Sequence, residues 1–313
     1  MNDPSPAEHE LNRRHFIGAS MAVTTGSLIT RAKTGLAAAP SPRDENPICV
    51  FTKPFNSLSF DELADRIAEL GFDGIEAPIR KGGHVEPEQV ADELPALVEA
   101  LNKRDLEITV LTSDVNDPDD PLTERVLRTA ATLGIQRYRM KYYKYDLKKS
   151  VLAQIEQWRP KLKQLAAMNH DFGLTGIYQN HAGTNYLGAP LWDLQLALRG
   201  IDSGDIGVAY DIRHATAEGG MSWPVTFNMI QPSIDTVYVK DFVWKEDKKP
   251  SNVPLGSGRI DPKFFKMLAD AAFSGPISLH EEYLDHRKPE LVPEHLAAIK
   301  ADLATLRSMI AND

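Results

Sequence analysis

Four short segments combine side chains that can hold ligands or move protons. They are residues 178–181 (YQNH), 211–214 (DIRH), 238–241 (YVKD) and 280–283 (HEEY), and each closes an apolar, β-like run. In a (β/α)8 barrel the loops after the strands build the active site, so ionisable residues collect at the carboxyl ends of successive strands. The four segments therefore predict one active face and indicate an enzyme.

Two of these segments place a carboxylate, an imidazole and an amine close together. Asp211 and His214 follow one apolar run, and Lys240 and Asp241 follow the next. A carboxylate there can hold a cation or hydroxyl group, while an imidazole donates a hydrogen bond. We expect burial to lower the pKa of Lys240, which would let it act as acid, base or electrostatic clamp. The alternative is a Lys240–Asp241 ion pair at the surface.

Other polar residues at predicted strand ends belong to the same face. Taken singly, each has a simpler interpretation, because a lone lysine or glutamate is usually solvated and a lone histidine usually satisfies a local hydrogen bond. Their common position favours a functional site. The full candidate set is Lys53, Glu76, Lys141, Gln179, His181, Asp211, His214, Lys240, His280 and Glu282.

The elements that must position these residues alternate regularly along the chain. Short β-branched or aromatic runs alternate with longer amphipathic runs through eight cycles, with no linker that marks a second domain. This pattern predicts an α/β fold, a single (β/α)8 TIM barrel spanning residues 41–313. The predicted strands are residues 48–55, 74–79, 107–113, 137–142, 174–179, 206–210, 236–239 and 277–280.

Composition narrows the function classes. The chain has 313 residues, 42% of them hydrophobic, and a formal net charge of -9. Nucleic acid is an unexpected partner for so acidic a chain, because binding phosphate backbones needs a concentrated basic face. No run approaches the ~18 apolar residues of a membrane span. A single cysteine, Cys49, excludes an intrachain disulfide, and the sequence gives no indication of oligomeric state.

The first 40 residues carry an export pattern. Arg13 and Arg14 precede a mildly apolar run at residues 19–29, and small residues follow at 37–39. We interpret residues 1–40 as a twin-arginine signal that directs the chain to the periplasm or another extracytoplasmic space. The alternative is a basic tail on a cytoplasmic protein.

The ordered motifs resemble the xylose-isomerase-like TIM barrels, also described as sugar phosphate isomerases/epimerases. The resemblance covers nearly all of residues 41–313 and implies the same barrel and a small carbohydrate as substrate. It rests on residues 71–76 (GFDGIE), 179–181 (QNH), 211–214 (DIRH), 239–241 (VKD), 254–261 (PLGSGRID) and 275–279 (GPISL).

The resemblance also implies a divalent cation held by Glu, Asp, His and Glu after strands five to eight. Here only Asp211 matches, because Gln179, Tyr238 and His280 stand at the other three positions. This set carries one negative charge and should bind a dication weakly. Glu282 would supply a second negative charge if it joins Asp211 and His280 as a ligand of Mn2+, Mg2+, Co2+ or Zn2+. Residues 256–258 (GSG) do not form a dinucleotide fingerprint, so no nucleotide cofactor is expected; a tight turn is favoured over a phosphate cradle.

These residues predict a carbohydrate isomerase or epimerase that removes a proton next to a carbonyl. Glu282 or His214 would be the base, and Lys240 or a cation would stabilise the enediolate. The candidate substrate-binding residues are Lys53, Glu76, Lys141, Gln179 and His181. Two alternatives stay open: a lyase that cleaves keto-sugar glycosides by β-elimination, and a non-catalytic sugar-binding barrel with a degenerate metal site.

Overall fold

Eight parallel strands close into a barrel in the computed structural model, which describes residues 46–311. The strand order β1-β10-β7-β6-β5-β4-β3-β2 follows the chain around the ring. The predicted single (β/α)8 barrel is thereby confirmed. The barrel strands are β1 (Ile48–Phe51), β2 (Gly74–Ile79), β3 (Glu107–Ser113), β4 (Arg137–Arg139), β5 (Thr175–Gln179), β6 (Ile206–Asp211), β7 (Ile234–Val239) and β10 (Ile277–Leu279).

Alternation along the strands sorts side chains between the barrel interior and the surrounding helices. Val110, Ile177, Ala209 and Tyr238 form a separate buried apolar cluster contributed by four strands. Such clusters are the packed layers expected inside a (β/α)8 barrel. The next inward position along several strands is polar, so the candidate site lies directly above this apolar layer.

Helices surround the barrel, and their ends follow local sequence signals. At the start of α1 the Ser59 hydroxyl accepts the Glu62 N–H at 3.3 Å, while the Glu62 carboxylate accepts the Ser59 N–H at 3.0 Å. This reciprocal capping box makes Ser59 the N-cap of α1. The helices are α1 (Phe60–Leu70), α2 (Val90–Asn102), α3 (Thr123–Thr132), α4 (Val151–Phe172), α5 (Trp192–Leu198), α6 (Ile212–Gly219), α7 (Trp223–Ile230), α8 (Lys263–Asp270) and α9 (Val292–Ala311). Across residues 46–311, none of them is long and apolar enough to cross a membrane.

A hairpin absent from the sequence prediction interrupts the last part of the barrel. Strands β8 (Asp241–Trp244) and β9 (Pro250–Val253) pair antiparallel between β7 and α8. The sequence prediction assumed one strand and one helix in each cycle, so it did not include a hairpin in the loop between a strand and the following helix. The predicted strands over 48–55 and 137–142 were also too long, because the chain leaves the sheet at Phe51 and Arg139.

The Gly256–Gly258 turn is held by Asp241 rather than left open for phosphate. The Asp241 carboxylate accepts the backbone N–H of Gly256 at 3.1 Å and of Gly258 at 2.9 Å, and the next two N–H groups also bond to it. A Cβ on Gly258 would lie 2.2 Å from Asp241 Oδ1, so the turn needs glycine there. The expected tight turn is thus what the structure contains, and Asp241 serves this loop rather than pairing with Lys240.

Candidate active site

The carboxyl ends of the strands bring six of the predicted residues into one buried polar group. Asp211 ends β6, Gln179 ends β5, and Lys240 follows β7 directly. Two arginines and a tyrosine that sequence reasoning missed complete the site. The residues of this group are Glu76, Gln179, Asp211, Lys240, His280 and Glu282 from the prediction, with Arg139, Tyr142 and Arg213 in addition.

Lys240 lies between two carboxylates. Its Nζ is 2.8 Å from Glu282 Oε2 and 3.1 Å from Asp211 Oδ2, and its side chain is only 5% exposed. Burial alone would lower the pKa of Lys240, but Asp211 and Glu282 outweigh it and hold that pKa above the ordinary value. The prediction of a lowered Lys240 pKa is therefore wrong, because the sequence did not reveal two carboxylates around the ammonium. Lys240 is a permanent cation.

Asp211 is fixed by bonds to each oxygen. Oδ2 accepts a hydrogen bond from Gln179 Nε2 at 2.8 Å, and Oδ1 accepts the His214 N–H at 3.0 Å. The second contact makes Asp211 the N-cap of α6, so residues 212–214 form the first turn of a helix directly after β6. Asp211 therefore both starts the helix and anchors Lys240.

Gln179 is oriented by its donors. Its Oε1 accepts from Arg139 Nη1 at 2.8 Å and from the Tyr142 hydroxyl at 2.5 Å. These two donors oblige the amide nitrogen to face Asp211. Gln179 thus connects Arg139 to Asp211 instead of presenting an oxygen to a ligand.

Glu76 supports the site from within the barrel. Its Oε2 accepts a hydrogen bond from the Ser278 hydroxyl at 2.8 Å and lies 2.7 Å from His280 Nε2. Its Oε1 accepts a hydrogen bond from the Thr112 hydroxyl at 2.5 Å. Burial would raise the pKa of Glu76, but His280 and Arg139 lower it to about 2. Because Glu76 is fully buried and both oxygens are bonded, its predicted contact with substrate does not fit the structure.

The residues proposed for a metal do not form a cation site. His280 faces Glu76, while Asp211 and Glu282 share the Lys240 ammonium. Tyr238 lies in the apolar layer below, where burial raises its pKa, so its hydroxyl stays protonated. Over the part of the chain that the structure describes, no group of three or more His, Cys, Asp or Glu is arranged to hold a metal ion. The donor set with Lys240 between its two carboxylates does not fit Mn2+, Mg2+, Co2+ or Zn2+.

Of the three predicted histidines, His214 and His181 line the same cavity and differ in whether a ring nitrogen is free to accept a proton. His214 Nδ1 is 2.9 Å from Arg213 Nη1; since an arginine only donates, Nδ1 accepts and the ring proton is on Nε2, 3.5 Å from Asp211 Oδ2. His214 therefore has no free lone pair, and its predicted role as a base does not fit. His181 Nδ1 is 2.9 Å from the Ala182 carbonyl, so it donates and leaves the Nε2 lone pair open.

A cavity of about 860 Å3 opens above this polar group on the β5–β6 side. Its inner wall includes His181, Arg213, His214 and Glu282, and its outer wall is largely apolar. Burial and the charge of Lys240 lower the pKa of His181 to about 4, so its ring is neutral near pH 7. The cavity thus places the neutral His181 imidazole and the Arg213 cation on the same wall as Glu282, while Asp193 and Glu218 line it as well.

Lys53 and Lys141 lie elsewhere. Both line a second cavity of about 480 Å3 near the ends of β1, β2 and β4.

A sequence signal could have revealed Arg139. It ends the short strand RYR, in which successive side chains point to opposite faces, so Arg139 and Tyr138 cannot share a face. An arginine facing the interior of a barrel needs a polar partner there.

Comparison with solved structures gives matches to sugar-converting barrels. The xylose isomerase domain protein from Planctomyces limnophilus is 13% identical, with a TM-score of 0.64 over 86% of this chain and 99% of that one. The 3-keto-D-glucoside 4-epimerase from E. coli is 15% identical, with a TM-score of 0.62 over 84% and 100%. D-Psicose 3-epimerase from Clostridium cellulolyticum H10 is 12% identical, with a TM-score of 0.64 over 84% and 99%. At these identities the likeness concerns the fold.

No protein with a curated function matched the sequence. The family model described as xylose isomerase-like TIM barrel matches residues 64–309, which include seven of the eight barrel strands and the whole polar group. The predicted resemblance is confirmed, and the chain belongs to the xylose isomerase-like TIM barrel family.

Proposed function

We propose that this chain is a carbohydrate isomerase or epimerase that removes a proton from the carbon next to a carbonyl. The observation that carries the proposal is the position of the Glu282 carboxylate. It lines the large cavity, and its Oε2 accepts a hydrogen bond from Lys240 Nζ at 2.8 Å. Enolisation needs a carboxylate near the carbon that loses the proton and positive charge near the oxygen that becomes negative. Glu282 is the candidate for the first role, and Lys240 and Arg213 are the candidates for the second. The solved barrels of sugar epimerases support the same substrate class.

Glu282 is the base in this mechanism. Its side chain is 24% exposed, the most accessible of the site's three carboxylates. It takes the proton from carbon, and the electron pair of the broken C–H bond forms the enediolate. His181, whose free Nε2 faces the same cavity, carries the proton to a neighbouring oxygen or to the other face of the carbon. Return of the proton completes isomerisation or epimerisation without net gain or loss of atoms.

Positive charge stabilises the enediolate. Lys240 supplies it from behind Glu282, and Arg213 supplies it from the cavity wall. Arg213 is oriented by Asn252, whose Oδ1 accepts from Nε at 3.0 Å. Charges held in place before the reaction need no reorganisation when the oxyanion forms.

Hydrogen–deuterium exchange in D2O tests this proposal on a panel of aldoses, ketoses and keto-sugars. NMR would follow exchange at the carbon next to the carbonyl. Replacing Glu282→Gln keeps an oxygen near Lys240 but removes the base, so exchange should fall about 10²–10⁴-fold. Glu290→Gln, on an exposed turn before α9, is the matched control. Unchanged exchange in Glu282→Gln would contradict the mechanism.

A second candidate, β-elimination from a keto-sugar glycoside, is favoured by the outer wall of the same cavity. That wall contains Leu147 and Trp244, which are 60% and 46% exposed, and Val151 lies beside them. An apolar wall is suited to the group attached to a sugar rather than to the sugar itself. Here Glu282 takes the same proton, the electrons form C=C, and the glycosidic oxygen leaves and is protonated.

Mass spectrometry of products separates these reactions. Isomerisation conserves mass, whereas elimination from a phenyl keto-glucoside releases phenol and an unsaturated keto-sugar. Replacing Trp244→Ala should raise KM for the phenyl glycoside and leave KM for a methyl glycoside nearly unchanged. If sugars bind but no substrate exchanges hydrogen or splits, the chain is a non-catalytic sugar-binding barrel.

We also propose that the protein is exported by the twin-arginine pathway and acts outside the cytoplasm. The signal at residues 1–40 lies outside the described residues, so its support is the sequence pattern of Arg13 and Arg14. Fusing residues 1–40 to a reporter tests it. The reporter should reach the periplasm, and the Arg13→Lys/Arg14→Lys pair should keep it inside.

A further inference from the structure

A second cavity at the barrel mouth is strongly basic. It has a volume of about 480 Å3 and lies at the ends of β1, β2 and β4. Four permanent cations and one carboxylate line it, in a chain whose overall charge is -9. The charged and titratable lining residues are Lys53, Arg80, Lys81, Lys141, Asp114 and His286.

Two of these cations are partly buried and have no carboxylate in direct contact within the described residues. In residues 46–311 neither Lys53 nor Arg80 forms an ion pair, and the Arg80 guanidinium instead lies 5.7 Å from the centre of the Phe51 ring. Burial lowers the pKa of both side chains. Arg80 lowers the pKa of Lys53 further, and Arg139 lowers the pKa of Arg80 further. Withdrawing charge from water in this way is costly unless a ligand supplies the opposite charge.

Among the described residues, Asp114 is the one carboxylate in the wall of this cavity, and it already has partners. Asp114 accepts the Lys81 N–H at 3.0 Å and lies 3.9 Å from Lys141 Nζ. It therefore offsets part of the charge of exposed Lys141. Carboxylates favour the charged forms of Lys53 and Arg80 only from outside direct contact, and burial still lowers the pKa of both. The potential in this cavity is positive.

The basic cavity adjoins the candidate active site. Arg80 and Arg139 both lie against Phe51, and Arg139 belongs to the buried polar group. Lys53 is close enough to Glu282 for that carboxylate to favour its charged form. A ligand whose reacting carbon is at Glu282 can thus extend toward Lys53 and Arg80.

We propose that Lys53 and Arg80 form an anion subsite and that the carbohydrate substrate carries a carboxylate, sulfate ester or phosphate ester. The proposal rests on the proposed function for the carbohydrate part. Arginine binds such groups with two parallel hydrogen bonds, and lysine adds a point charge. Of the predicted substrate-binding residues, Lys53 and Lys141 would lie near the anionic group of the substrate and not near the carbon that loses its proton.

Calorimetric titration of the full chain with matched sugars tests the subsite without turnover. The probes are D-glucuronate, glucose 6-sulfate and glucose 6-phosphate, with D-glucose as the neutral counterpart. At least one anionic sugar should bind about ten-fold or more tightly than glucose, the effect expected of charge-assisted hydrogen bonds. The order among the three identifies the anionic group, and added NaCl should weaken the preference.

Variants connect the preference to this cavity. Arg80→Met and Lys53→Met should each remove most of the anion preference, while Lys300→Met, an exposed lysine on α9, should keep it. Circular dichroism checks that each variant is folded. Equal binding of all four sugars, no binding of any anionic sugar, or a preference that survives both variants would overturn the proposal. If an anionic sugar binds more tightly than glucose but none of the sugars exchanges hydrogen in D2O, the anion subsite stands and only the proposed reaction is contradicted.

Discussion

Replacing Lys240→Met should destabilise the protein, and more at about pH 7 than at about pH 4.5. Methionine preserves most of the aliphatic volume but removes the ammonium that lies 2.8 Å from Glu282 and 3.1 Å from Asp211. Two carboxylates at the barrel mouth are then left without their shared cation. The effect on folding can be worked out from these distances.

At an effective dielectric constant of about 20, these contacts correspond to Coulomb attractions of about 6 and about 5 kcal/mol. Much of that attraction is offset by the cost of burying three charges. Removing one partner of a buried pair typically costs about 3–5 kcal/mol, because it leaves uncompensated charge. We expect a loss of that size in the free energy of unfolding at about pH 7.

The sign of the pH dependence follows from the pKa directions. Burial would raise the Glu282 pKa, but Lys240 holds it below the ordinary value, so this stabilisation is present above about pH 4.3 and lost as the pH falls further. The raised Lys240 pKa keeps its contribution intact below about pH 10.4. Without Lys240, burial raises the Glu282 pKa, and protonation in mild acid relieves the repulsion.

Urea unfolding at both pH values, extrapolated linearly to water, measures these free energies. The difference between wild type and Lys240→Met should shrink at about pH 4.5. The control variant Lys300→Met should have the same free energy of unfolding as wild type at both pH values. A difference below about 1 kcal/mol at neutral pH, or one that does not change with pH, would refute the electrostatic role of Lys240.

Three further expectations concern the site and its loop. Dialysis against EDTA should leave hydrogen exchange intact, because Lys240 lies between the carboxylates; recovery only on adding Mn2+ would contradict this. The rate should fall as the pH drops through about 4, where His181 takes up a proton, and His181→Asn should abolish that step in the pH profile. Gly258→Ala should lower stability by about 1–3 kcal/mol in thermal unfolding, because its Cβ would lie 2.2 Å from Asp241 Oδ1; an unchanged melting temperature would show that the loop can move aside.

Local signals were sufficient for most of the fold. Short β-branched or aromatic runs that alternate with amphipathic ones predicted all eight barrel strands. The β8–β9 hairpin was missed because nothing in the sequence distinguishes it from an ordinary loop between β7 and α8. Helix α6 was missed because Asp211 was interpreted as a ligand residue, whereas its carboxylate also caps the helix.

The sequence by itself determined most of the residues that reach the barrel mouth, because alternation and strand order fix side-chain direction in a parallel barrel. Arg139, Tyr142 and Arg213 were missed. Only the tertiary structure decided how they pair. His280 turns to Glu76, Gln179 is oriented by Arg139, and Lys240 takes the place between Asp211 and Glu282. These contacts join residues up to 204 positions apart, and their charges settle one another's protonation. Such coupling depends on distances of a few ångströms, which no local pattern in the sequence encodes.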